Sequence, residues 1–217
     1  KLRNAPPALQ VEVQNTLIET VSEDKVLGVI IDNNLSWKSQ VQKVRKTVLF
    51  KLSILRRIRK YLPKHTRILF YNYYVKPHLD YCCSVWGNCS KRDCNIIIKL
   101  QKQAARLVLD ADRLTPSKEM FNSLNWLTFT QIVHQKQATL VYKSLNNLAP
   151  SYMAKMFHLK RNDGLRSTTH NKLFIPRAHP KSFRYCGAKL WNSLPDNVRC
   201  AQNIRQFKTN YSRSNEH

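Results

Sequence analysis

Seven apolar residues, Val41, Val44, Val48, Leu52, Leu55, Ile58 and Leu62, recur at intervals of three and four. Only an α-helix brings such positions onto one side, so this stretch must form a rod with one face buried. Pro63 closes it. Begun near Ser36 and rising about 1.5 Å per residue, the rod is roughly 35 Å long.

Its other face is the unusual one. Between Asp32 and Asp80 the chain contains no acid. Placed at about 100° per residue, Lys38, Lys43, Arg45, Lys46, Arg56, Arg57 and Lys60 fall mostly opposite the apolar stripe, with Phe50 and Ile54 turned toward them. Lys51 and Arg59 sit on or beside the stripe. A solvated helix normally interleaves signs, because opposite charges four residues apart stabilise it by a few tenths of a kcal/mol while like charges cost as much.

The whole chain shares this bias: 37 lysines and arginines against 13 acids give 217 residues a formal charge of +24. Such a surface repels itself unless an anion lies against it. Three readings follow: a phosphate-binding face, an amphipathic attachment to acidic membrane, and a solvated face that happens to be basic. The helices downstream favour a core role for the apolar side, and nothing reaches the roughly 18 apolar residues of a membrane span. Nucleic acid is therefore the expected partner, recognised by backbone and shape, with no membrane involved. An intracellular site is expected, with the six cysteines as thiols. The absence of an initiator methionine suggests a fragment or trimmed domain.

The pattern predicts a mainly α protein: a helical bundle preceded by a small antiparallel β element, with a smaller C-terminal helical subdomain. Residues 1–35 would hold two or three short strands, including VLGVIID. Residues 36–110 would form the basic bundle. Its second helix starts at Pro63, kinks at Pro77 and ends near Gly87; its third opens at Ser90, with Asp93 three residues on. Residues 111–157 would add helices against that bundle, residues 158–181 a Pro-broken linker, and residues 182–217 the subdomain. There, Phe183, Trp191, Leu194, Val198 and Phe207 can dock.

Catalytic signatures are missing. His78, Cys82, Cys83, Cys89 and Cys94 lack the paired spacing of a zinc site, and four glycines cannot make a phosphate-cradling loop. Asp80, Asp93, Asp110, Asp112 and Asp196 form no strand-borne pair that would hold magnesium for nucleotidyl transfer. Trp37, Trp86, Trp126 and Trp191 stand at helix edges, as core anchors do.

The order VLGVIIDNNLSW, RRIRKYLP, LFYNYYVKPHLDYCCSVWG, LQKQAARLVL, LNWLTF, LVYKSLNNLAPSYM and SFRYCGAKLWNSLPDNVR resembles the C-terminal third of jockey-like and CR1-like non-LTR retrotransposon reverse transcriptases, from about Val26 to Tyr211. The resemblance implies that Leu27, Gly28 and Val29 centre a primer-grip-like strand and turn. The helices from Trp37 on would be the thumb, closing on an RNA and DNA hybrid or the element's RNA, at a nuclear site of action. The palm and fingers, with their paired aspartates and magnesium, would lie upstream. This chain alone is then expected to need no cofactor and to be inactive as a polymerase. The other reading is a non-catalytic helical protein-interaction module from a decayed or co-opted element.

Overall fold

The computed structural model describes residues 11–14, 16–160, 171–180 and 182–214. Residues 161–170 and 181 of the expected linker, the first ten residues and residue 15 of the expected β element, and the last three of the chain lie outside them.

The protein is mainly helical, with a small antiparallel β element ahead of a helical bundle. Among its described residues that element holds four strands in two separate hairpins, where two or three strands were expected. β1 (Val11–Val13) pairs with β2 (Thr16–Ile18), and β3 (Glu23–Val26) with β4 (Val29–Asp32). Tight turns at Gln14 and at Leu27-Gly28 make each pair local, and among the described residues nothing joins the two into one sheet.

α1 (Lys38–Ile58) is followed by a 3-10 turn, Arg59–Tyr61, and α2 (Lys64–Phe70). The kink expected at Pro77 is an insertion on its N-terminal side. Residues Tyr71–Val75 form a π-helix before α3 (Lys76–Asp80), and the Lys76 N–H reaches back to the Tyr71 carbonyl. Pro77 has no N–H and its ring crowds the carbonyl four residues back, so the wider turn relieves the clash without ending the helix. The expected run to Gly87 is broken earlier: Cys82 is left-handed at φ 49, and α4 (Cys83–Trp86) starts afresh. That reversal seats Cys83 and Trp86 in the core, with the Trp86 indole N–H donating to the Tyr81 carbonyl at 2.8 Å.

Ser90 caps α5 (Lys91–Leu109) by accepting from the Asp93 N–H. α6 (Ser117–Leu124) leads to α7 (Phe129–Leu145), which begins with a reciprocal capping box between Thr128 and Gln131. α8 (Ser151–Ala154), α9 (Phe183–Ser193), α10 (Asp196–Arg199) and α11 (Ile204–Ser214) complete the chain.

Two apolar cores result. In the first, the α1 stripe meets Ile97, Leu100, Ala104 and Val108 of α5, and Val75, Leu79, Trp86 and Phe129 fill the remaining space. In the second, Val141 and Tyr142 of α7 meet Phe157, Trp191, Val198 and Phe207. α7 belongs to both. Trp37, Trp86 and Trp191 are buried, while Trp126 is partly buried and stacks on Tyr71. Among the described residues no helix is long and apolar enough to cross a membrane.

Candidate nucleic-acid interface

The stripe that holds α1 in the first core dictates what its other side can be. Gln40, Val41, Val44, Val48, Leu52 and Leu55 are buried. Lys38, Lys43, Arg45, Lys46, Arg56, Arg57 and Lys60 are all exposed. No acid stands in the first turn of α1, and Arg56 and Arg57 occupy its last, where cations complement the helix dipole.

The ion pairs among the described residues lie elsewhere. Arg59 meets Asp110 at 3.3 Å, Lys136 meets Asp80 at 3.9 Å, and Arg199 meets Asp196. The seven exposed cations therefore form no ion pair among the described residues. Arg59 and Lys51 are the inward members of the row: Arg59 is tied to the end of α5, and the Lys51 ammonium lies 5.4 Å from the centre of the Tyr74 ring. An uncompensated row of cations on a rigid rod can hold a polyanion by its phosphates at many positions without reading its bases.

The second hairpin is fixed to the start of that rod. Leu27 and Gly28 form its two-residue turn, both at positive φ (47 and 83). Leu27 points into solvent at 85% exposure, while Val29 is buried against the first core. Asp32 then steers the chain into the helix by accepting from the backbone N–H groups of Asn34, Ser36 and Trp37 at 3.0 to 3.1 Å. Those bonds, led by the one from Ser36, hold its carboxyl below the usual 3.8 against some desolvation. Three side chains of α1 reach back. The Gln40 amide oxygen accepts from the Ile30 N–H at 3.0 Å, the Ser39 hydroxyl donates to Glu23 at 2.6 Å, and the Lys43 ammonium donates to the Gly28 carbonyl at 2.6 Å. Leu27, Gly28 and Val29 are thus held rigidly beside the N-terminal end of the basic row.

Sequence reasoning found the cations, but read VLGVIID as one strand where the chain turns at Leu27-Gly28 between β3 and β4, and missed the docking roles of Asp32, Ser39 and Gln40. A polar residue among exposed ones carries no periodic signal, and only Gln40, sitting in the buried sector of the helix, breaks the pattern. Tyr74 and Phe70 were also missed, because their placement depends on the π-helical turn.

No group of three or more His, Cys, Asp or Glu among the described residues is set to hold a metal ion. Asp93 belongs to the α5 cap and Asp110 is its left-handed terminus. Burial pushes the Cys83 thiol up to about 11, away from the thiolate a nucleophile needs. No disulfide joins the six cysteines, all of which are among the described residues.

No protein-family model matches this chain, and neither a curated protein nor a solved structure matches it.

Proposed function

We propose that this chain grips nucleic acid through the solvent face of α1, as the thumb and following region of a retrotransposon reverse transcriptase. The palm, which carries the chemistry, would be supplied by the rest of the polyprotein. One observation carries the reading: seven exposed cations on one helix without an ion pair among the described residues. The order of motifs along the chain adds the polymerase context, and the docking of the hairpin bearing Leu27, Gly28 and Val29 at the start of α1 supports reading the two as a primer grip and a thumb.

The test is equilibrium binding of the purified chain to mixed-sequence RNA and DNA hybrid over a range of salt. With about five or six phosphates neutralised, log affinity falls against log salt with a slope near −5. Reversing Lys46, Arg56, Arg57 and Lys60 to glutamate should abolish binding. A flat salt response, or full affinity after reversal, overturns the proposal.

A protein-interaction module remains the second reading, and it has one observation in its favour. A groove of about 740 Å³ lies between the segment joining β4 to α1, α4, α7, α8 and the start of α9, lined by Leu35, Trp37, Val85, Leu140, Met153 and Phe183 among others. A partner held there would be indifferent to the four reversals.

A further inference from the structure

A phosphate grip accounts for the cations of α1 but not for the two apolar side chains that stand among them. Phe50 is 67% exposed and Ile54 37%. Lys46, Phe50 and Ile54 follow one another at intervals of four, with Lys43 and Arg57 each seven residues from Phe50. On a helix those spacings place all five along one ridge. The ring is therefore flanked by cations in both directions along the axis. Lys46 is about 6 Å and Arg57 about 10 Å from it at about 1.5 Å per residue, so their long side chains can reach phosphates on either side of one nucleotide.

The apolar strip also continues sideways. Lys51, three residues before Ile54 and on its flank, covers Tyr74, and Tyr74 stacks on Phe70 with ring centres 5.0 Å apart and planes 24° apart. Tyr74 is carried on the π-helical turn packed beside α1 and is itself exposed, so aromatic surface also lies on the neighbouring element. Duplex bases present their faces to one another and leave none for such a ring. An unpaired base has a free face, and stacking on aromatic side chains beside a cationic track is how sequence-tolerant single-strand binding works.

We infer that the ridge formed by Lys43, Lys46, Phe50, Ile54 and Arg57 is a stacking platform for an unpaired segment of RNA or DNA. Phe50 takes the face of a base, and the flanking cations take the phosphates. The inference rests on the reading of α1 as a phosphate grip, and adds to that grip on paired strands a contact that only an unpaired base can make.

The experiment compares the full chain with Phe50→Ala, Phe50→Leu and Lys46→Glu variants, binding a short oligoadenylate strand and a blunt mixed-sequence duplex at the same salt. Phe50 lies outside both cores, so its variants keep the fold. Both Phe50 variants should lose about tenfold in single-strand affinity, as for one lost stacking partner, with the duplex affinity and both salt slopes retained. A fluorescent adenine analogue in the strand should be quenched by the native chain and not by the Phe50 variants. Equal losses on both ligands, no loss on either, or full single-strand affinity in Phe50→Leu overturns the platform. If Lys46→Glu weakens both ligands while the Phe50 variants change neither, the platform alone fails. If Lys46→Glu also changes neither, the phosphate grip fails with it.

Discussion

The ammonium of Lys43 donates to the carbonyl oxygen of Gly28 at 2.6 Å, fastening the basic helix to the hairpin turn. One cation thus serves both the joint and the candidate interface. Lys43→Met should lower stability by about 0.5 to 1 kcal/mol, as expected for one solvent-exposed hydrogen bond. It should also make the salt slope of polyanion binding shallower by about one unit. Urea unfolding and a salt titration of the same variant read the two effects separately.

Leu27 occupies the first position of a turn that needs positive φ at both central residues, a conformation in which a leucine Cβ is crowded. Asparagine tolerates it, so Leu27→Asn should stabilise the protein by about 0.5 to 1 kcal/mol. At Gly28 an added Cβ would meet only the Tyr81 ring at 3.8 Å, an ordinary contact. The cost of Gly28→Ala is therefore conformational, about 1 kcal/mol. If the strained turn serves the grip on a primer end, Leu27→Asn will unfold later in denaturant yet bind a primed template more weakly.

The Asp32 carboxylate gives the junction an acid dependence with a defined sign. Its folded value lies below the ordinary 3.8, chiefly through the Ser36 N–H, so its contribution is complete above that pH and is lost as pH falls through the folded value. The group is open to water, which keeps the effect modest. Asp32→Ala should cost about 1 kcal/mol near neutrality, as for a lost capping side chain. The gap between variant and native chain should close in strong acid, followed by denaturant unfolding at a series of pH values.

Gly87 is constrained by space alone. Its φ of −68 suits any residue, but a Cβ there would lie 2.3 Å from the Cys83 carbonyl oxygen and 2.5 Å from a methyl of Val133. Gly87→Ala should destabilise by about 3 kcal/mol through overpacking. Adding Val133→Ala should recover part of that loss, because the methyl can be removed and the carbonyl cannot. Thermal melting of the single and double variants checks both statements.

Elements with one buried stripe and a local cap were readable from sequence. α5 is the clearest case, since Ser90 and Asp93 mark its start and Ile97, Leu100, Ala104 and Val108 its inner face. α1 was equally plain, and its row of cations with it. α7 hides its role, because Phe129, Val133, Ala138, Val141 and Tyr142 are buried against different partners along its length. Gln101 shows another limit. It looks like a surface residue, yet it is buried, donating to the Leu127 carbonyl at 3.1 Å and accepting from the Phe129 N–H at 2.7 Å. The π-turn at Tyr71–Val75 left no local mark either, since the proline that demands it lies two residues past its end.

With its first half in one core and its second half in the other, α7 is a beam common to both. Its 17 residues span roughly 25 Å at about 1.5 Å each. Turning the tail against the cationic rod would therefore bend α7 or expose one of its two buried halves, so the cost of changing the distance between them, like that of opening a locked caliper, falls on this one helix.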